Sequence, residues 1–110
     1  MLVDSNLIIY AASGGFPDLV NWFLDEEISV SAVIMVETLG YHKFSGREKT
    51  ALDTIFSTVT IIYPSPEVFQ TAIKLRQKRA ISLGDAMIAA TALEDKLMLA
   101  THNSYWNYGQ

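Results

Sequence analysis

Short apolar runs alternate along this chain with longer stretches whose apolar residues recur at helical spacing. The runs predict strands over residues 1–4, 28–30, 58–63 and 97–100. The stretches between them predict six helices. The second begins at residue 17, and the others cover residues 6–12, 32 to about 44, 47–56, 67–78 and 83–95. Because strands and helices alternate from end to end, we expect an α/β fold with a mainly parallel sheet and helices on both of its faces.

Serine residues mark where two of these helices begin. Ser31 precedes the helix that follows the second strand, and Ser82 precedes the last helix. Serine is a preferred N-cap residue because its hydroxyl accepts a backbone N–H of the first turn. Ser82 as the cap places Asp85 at the third helical position, an arrangement similar to a capping box. The Ser45-Gly46 pair is expected to end the third helix.

The composition favours a single globular domain over residues 1–110. Half of the 110 residues are apolar and 18% are charged, so the chain can build a hydrophobic core. There is no cysteine, which excludes disulfides, thiolate metal sites and a cysteine nucleophile. No apolar run approaches the roughly 18 residues of a membrane helix, and Asp4 would interrupt a signal peptide. We therefore expect a cytoplasmic protein with no membrane partner.

The charge balance is acidic, with a formal net charge of −4. Nucleic-acid binders often carry a basic surplus, so the total charge counts mildly against that class. Four basic residues nevertheless lie close together, at Lys74, Arg76, Lys78 and Arg79. The sequence leaves two explanations open: a local basic patch, or a solvated helix face.

Three carboxylates lie at or near points where a predicted strand gives way to a helix. Asp4 follows the first strand, Glu37 lies one turn into the helix after the second strand, and Asp85 opens the last helix. Carboxylates in apolar segments are costly to bury without a positive partner, and few cations lie near them in sequence. The carboxyl ends of parallel strands meet at one edge of a sheet, which is also where Thr101 and Asn103 follow the last strand. A divalent metal such as Mg²⁺ or Mn²⁺ is the candidate ligand, because hard cations take oxygen ligands.

Each carboxylate also has a purely structural explanation. Asp85 is able to cap its helix, and Asp4 is able to serve as a turn residue. Glu37 would be buried if its helix packs Val33, Ile34, Val36 and Tyr41 inward, and exposed if the helix is rotated.

Other catalytic classes find little support. The two histidines, His42 and His102, are isolated and make a poor zinc site. No serine lies in a Gly-x-Ser-x-Gly setting, and Gly14-Gly15 matches neither glycine fingerprint of nucleotide-binding loops.

Four segments resemble the motifs of PIN-domain proteins in order and spacing. They are MLVDSNLIIY at residues 1–10, VSAVIMVETLG at residues 30–40, SLGDAMIAATA at residues 82–92 and LMLATHN at residues 97–103. The third is the most specific, and together they cover nearly the whole chain. In size the chain is similar to VapC-like toxins of prokaryotic toxin–antitoxin pairs.

The resemblance implies a three-layer α/β/α fold with a central, mainly parallel sheet of four or five strands. It implies a metal-dependent ribonuclease that acts on RNA, with Asp4, Glu37 and Asp85 holding Mg²⁺ or Mn²⁺. It also implies a homodimer that a cognate antitoxin inhibits. Polar residues at the family's supporting positions are Ser5, Asn6, Thr101 and Asn103.

One departure from the family pattern motivates an alternative. Trp106 stands where the family usually has a fourth acidic residue. A site with one carboxylate fewer holds a metal more weakly. The alternative is a degenerate PIN domain that binds RNA or a protein partner with little or no cleavage. A phosphatase with an aspartate nucleophile is disfavoured, because such enzymes need an Asp where this chain has Asn6.

Overall fold

A computed structural model describes residues 1–14, 21–24, 27–41, 44–100 and 105–107, the last three by their backbone alone. The elements in chain order are β1 (Leu2–Val3), α1 (Ser5–Ala12), α2 (residues 21–24), β2 (Ser29–Ser31), α3 (Ala32–Leu39), α4 (Gly46–Thr58), β3 (Thr60–Ile62), α5 (Pro66–Lys78), α6 (Leu83–Glu94), β4 (Met98–Ala100) and β5 (Tyr105–Asn107).

The described sheet has five strands in the order β3-β2-β1-β4-β5. Strands β1 to β4 run parallel, and β5 pairs antiparallel with β4. Leu2 lies opposite Ser29 on one side and Leu99 on the other, so β1 is central. The predicted three-layer α/β/α fold with a mainly parallel sheet is confirmed.

Two boundaries differ from the sequence-based expectation. The helix predicted to reach about residue 44 ends at Leu39, where the backbone N–H of Gly40 bonds back to the carbonyl of Val36 at 3.1 Å. Ser45 does not end a helix but begins α4. Its hydroxyl accepts the N–H of Glu48 at 3.2 Å, and the Glu48 carboxylate accepts the N–H of Ser45 at 3.3 Å. This is a capping box, which the Ser-x-x-Glu spacing encodes.

The remaining helices and strands agree with the pattern to within a few residues. Ser31 and Ser82 cap α3 and α6, as predicted. The start predicted for a helix at residue 17 lies outside the described residues, while residues 21–24 are helical. The pattern predicted residues 97–100 as the last strand, yet β5 follows it. β5 was missed because its sequence, Tyr-Trp-Asn, belongs to a polar and aromatic segment without the aliphatic run that indicates the other strands.

Helix α6 is buried on nearly all sides. The seven consecutive residues 86–92 are all buried. Ile88 and Ala92 join the main core, which strands β1, β2 and β4 share with α1 and α4. Ala86, Met87 and Ala90 form a second cluster with Val68 and Ala72 of α5. Residues 86–92 of α6 are therefore held between the sheet and α5, and the first turn, with Leu83 and Asp85 exposed, extends directly from this buried segment.

Within the described ranges, no helix combines the length and the apolar character that crossing a membrane requires.

The core predicts a large difference between two isoleucine truncations. Ile55 of α4 is fully buried, whereas Ile73 of α5 is 51% exposed. Ile55→Ala is expected to lower the free energy of unfolding by about 2–5 kcal/mol, since it removes buried methylenes and leaves a cavity. Ile73→Ala, the matched control, should cost less than about 1 kcal/mol. Urea denaturation of both variants measures this, and equal losses would contradict the described core.

Candidate active site

The strand order places a topological switch point beside β1. From β1 the chain adds β2 and β3 on one side and then crosses to add β4 on the other. In open parallel sheets, ligands bind outside the carboxyl ends of the strands at such a point. The carboxyl ends of β1 and β4 lie side by side, and the backbone N–H of Asp4 donates to the carbonyl of Ala100 at 3.2 Å. Asp4 therefore lies at the edge of the sheet where a ligand is expected.

Asp4 is the N-cap of α1. Its backbone is extended, and its Oδ1 accepts the N–H of Leu7 at 3.0 Å. This bond determines where the carboxylate lies relative to β1 and α1. A carboxylate has two oxygens and about four lone-pair sites, so capping does not prevent a further role as a ligand.

Asp85 does not cap its helix. Ser82 is the N-cap of α6, and its hydroxyl accepts the backbone N–H of Asp85 at 3.1 Å. Asp85 is the third residue of the helix and its side chain is exposed. A negative charge in the first turn is stabilised by the helix dipole. The capping explanation thus applies to Asp4 rather than to Asp85.

Glu37 lies in the second turn of α3 with an exposed side chain. Of the two alternatives that the sequence left open, the structure agrees with the rotated helix, since Val36 and Tyr41 are 75% and 48% exposed. α3 instead turns Ile34 and Thr38 into the interior. The sequence left both alternatives open because a helix of eight residues shows too little periodicity to determine its rotation.

The pKa of Glu37 is raised above its ordinary value of 4.5. Partial desolvation is the largest cause, followed by repulsion from Asp85 and then from Asp4. These carboxylates come from three different elements, and the fold brings them close enough for Glu37 to be affected by both of the others. The three predicted carboxylates therefore share one region of negative potential at this edge of the sheet.

The carboxylates do not already converge on a single point. Within the described residues, no three His, Asp or Glu side chains form a group able to hold a metal ion. The chemistry of the donor set still fits a hard divalent cation, because all the donors are carboxylate oxygens and both aspartates repel Glu37. Mg²⁺ usually needs only one or two protein carboxylates, with waters and substrate phosphate supplying the other ligands.

The structure also places a residue that the sequence analysis did not single out. A methyl carbon added at Gly84 would lie 2.9 Å from Cδ and 3.2 Å from Oε1 of Glu37, and it would overlap Oε2. Gly84 precedes Asp85 in the first turn of α6. The only sequence signal was a glycine inside a helix, where glycine is unfavourable.

The other predicted site residues are only partly described. Ser5 and Asn6 form the first turn of α1 directly after Asp4, with Ser5 half-buried and Asn6 exposed. Thr101 and Asn103 lie outside the described residues. The backbone of Trp106 pairs with Leu99 within β5 and β4.

The fold and the acidic edge define a class of α/β protein with a carboxylate site at the switch point of a parallel sheet. The PIN domain family model matches residues 1–107, nearly the whole chain. This chain belongs to the PIN domain family. Comparison with curated protein sequences gave no match.

Solved structures with the same fold include toxin–antitoxin proteins. A toxin–antitoxin complex from Klebsiella pneumoniae is 27% identical, with a TM-score of 0.71, covering 93% of this chain and 85% of the other. VapBC2 from Rickettsia felis, bound to a DNA fragment from its promoter, is 22% identical, with a TM-score of 0.73 and coverage of 93% and 86%. VapC20 from Mycobacterium tuberculosis, a toxin that cleaves the sarcin–ricin loop, is 16% identical, with a TM-score of 0.68 and coverage of 87% and 83%. At these identities the last two structures show likeness of fold.

The raised pKa of Glu37 predicts a dependence of stability on pH. A protonated Glu37 favours the folded state, and this contribution is present below pH 4.5 and lost as the pH rises through the pKa of the folded protein. At neutral pH, in low salt and without divalent ions, Glu37→Gln should therefore melt at a higher temperature than the wild type. The gain should be small, because Glu37 is exposed and solvent screens its charge.

Thermal unfolding from pH 3 to pH 8, on the order of one measurement per pH unit, follows this difference across the titration of carboxylates. The gap between Glu37→Gln and wild type should close below pH 4.5. Asp53→Asn, an exposed substitution on α4, controls for the loss of one negative charge. A Glu37→Gln variant that is no more stable than wild type at neutral pH would contradict the raised pKa of Glu37.

Proposed function

We propose that this PIN domain is a metal-dependent endoribonuclease and the toxin of a VapBC-type toxin–antitoxin pair. The observation that carries the proposal is the close approach of the Glu37 carboxylate to Gly84, the neighbour of Asp85, in a chain that the PIN domain family model matches over residues 1–107. Carboxylates that lie near one another at the ligand-binding edge of a parallel sheet are able to bind a cation. Catalysis is assigned to Asp4, Glu37 and Asp85, with Mg²⁺ or Mn²⁺ as the cofactor.

In this proposal Asp4 and Asp85 would bind the metal ion, and the backbone of each is positioned by the surrounding fold. Asp4 is held by its capping bond and by the bond to Ala100, and Asp85 by its place in the buried helix α6. A bound Mg²⁺ or Mn²⁺ supplies positive charge that orients a water and neutralises the scissile phosphate. Ser5, Asn6, Thr101 and Asn103 are proposed as supporting polar residues near these ligands.

Glu37 completes the ligand set and accepts a proton from the attacking water. A carboxylate within reach of the attacking water is a suitable general base. As the water oxygen bonds to phosphorus, its proton would pass to the Glu37 carboxylate. The bond from phosphorus to the leaving ribose oxygen would break, and this oxygen would take up a proton from solvent. The reaction is hydrolysis of an RNA phosphodiester bond.

An RNA substrate is supported by the location of the basic residues on α5. Arg76, Lys78 and Arg79 are exposed at the C-terminal end of this helix. The guanidinium of Arg76 donates to the carbonyl of Ile81 at 3.2 Å, one residue before the N-cap Ser82 of α6. The basic residues thus adjoin the helix that carries Asp85, which favours the basic-patch explanation for binding the phosphate backbone.

Two protein partners are proposed, a cognate antitoxin and a second copy of this chain. The antitoxin is supported by the 27% identical toxin–antitoxin complex. A partner surface is also supported by exposed apolar side chains on α5, where Phe69 and Ile73 are 52% and 51% exposed and lie one turn apart. The cytoplasm remains the predicted location.

The alternative function is a degenerate PIN domain that binds RNA or protein without turnover. It is favoured by Trp106 at the position of a usual fourth acidic residue, and by the absence of a ready three-ligand group among the described residues.

The proposed nuclease predicts metal-dependent cleavage that Asp85→Asn abolishes. Purified protein, free of antitoxin, should cut total RNA with Mn²⁺ and stop when EDTA is added. Asp85→Asn should lower the rate by about 100-fold or more, because the metal supplies several kcal/mol of transition-state stabilisation. Asp53→Asn is the matched control and should cleave like wild type. Retained activity in Asp85→Asn, with an unchanged melting temperature, would reject the assigned site.

The degenerate alternative predicts a different response at position 106. If the fourth acidic residue is what the site lacks, Trp106→Asp should create Mn²⁺-dependent cleavage or raise it, since an added carboxylate strengthens metal binding. RNA cleavage and calorimetric Mn²⁺ titration of this variant measure both effects. A folded Trp106→Asp protein with unchanged affinity and activity would show that this position is not the defect.

A further inference from the structure

We propose that Gly84 is a positioning residue for the Glu37 carboxylate. The absence of a side chain at residue 84 leaves the space in which this carboxylate lies against the first turn of α6. The functional part of this inference rests on the proposed nuclease, whereas the contact itself does not.

The contact involves the whole carboxylate group of Glu37. A methyl carbon at residue 84 would approach Cδ to 2.9 Å and Oε1 to 3.2 Å and would overlap Oε2. Separations below 3 Å are not tolerated between such atoms, so one of the two groups would have to move. The end of the glutamate side chain is the flexible partner, so a larger residue 84 would displace the Glu37 carboxylate.

The backbone does not require glycine at this position. Among the glycines in the described ranges, Gly14 has a positive φ, while Gly84 lies in an ordinary helical conformation that any residue adopts. Alanine would be a better helix former there, and α6 contains alanine at residues 86, 89, 90 and 92. The described feature that alanine at residue 84 would disturb is the Glu37 carboxylate.

This contact links the positions of two proposed ligands. α6 carries Asp85 directly and meets the carboxylate of Glu37 at the preceding residue. Residues 86–92 of α6 are buried, and the first turn that extends from them provides a contact for a side chain that is otherwise exposed on α3. The first turn of α6 thus carries one proposed ligand and contacts the side chain of another.

The contact is tested by thermal unfolding of metal-free protein in a double-mutant cycle. The variants are Gly84→Ala, Glu37→Ala and the pair together. In the Glu37→Ala background the new methyl group meets no carboxylate, so Gly84→Ala should raise the melting temperature by about 2–4 °C. In the wild-type background the rise should be smaller or absent. Equal shifts in the two backgrounds would overturn the contact.

The positioning role is tested by Mn²⁺ titration and RNA cleavage with the same variants. Gly84→Ala should weaken Mn²⁺ binding about 10- to 100-fold, as changes next to metal ligands typically do. In the Glu37→Ala background, Gly84→Ala should have no further effect on Mn²⁺ affinity. Gly46→Ala is the matched control: it also lies in the first turn of a helix, and a methyl group there would meet nothing within 4 Å. It should bind Mn²⁺ and cleave RNA like wild type.

The outcomes separate this inference from the proposed function. Wild-type Mn²⁺ affinity in Gly84→Ala overturns the positioning role. If wild-type protein neither binds Mn²⁺ nor cleaves RNA, the proposed nuclease is rejected and with it the role toward the metal. The unfolding cycle then still decides whether Gly84 determines the position of the Glu37 carboxylate.

Discussion

The burial of α6 is the constraint on which the arrangement of this molecule depends. A helix enclosed by the sheet and by α5 cannot rotate without exposing apolar surface or creating overlaps. Small residues along α6 allow this close packing, and Ser82 determines where the helix begins. Asp85 and Gly84 therefore occupy well-defined positions at the sheet edge, and the two other carboxylates are arranged around them.

Electrostatic repulsion is the second feature that organises the site. Folding brings Asp4, Glu37 and Asp85 from separate elements into one region, where Glu37 is repelled by both aspartates. Such an arrangement costs stability in the absence of a cation and is relieved when a cation binds. In the proposed nuclease the same negative charge would also repel RNA, and the exposed basic residues on the adjoining end of α5 would offset that repulsion.

Much of the fold and part of the site could be predicted from the sequence, because they depend on residues that are close together in the chain. The order of strands and helices follows from hydrophobic spacing, and the caps at Ser31 and Ser82 follow from serine chemistry. The sequence also contains the Ser-x-x-Glu spacing of the capping box formed by Ser45 and Glu48. The adjacent Gly46 led instead to the prediction that the preceding helix ends there. The position of Asp85 in the first turn of α6 followed directly from its distance to Ser82.

The sequence by itself determined the alternation of strands and helices, the parallel sheet and the motif order that indicates a PIN domain. Tertiary structure decided the rest, because it depends on contacts between residues that are distant in the chain. It placed Val36 and Tyr41 outward, added β5 as an antiparallel edge strand and set the approach of Glu37 to Gly84. No local pattern reports these features, since helix rotation, strand pairing and the fit of one carboxylate against a neighbouring helix are determined by packing between elements.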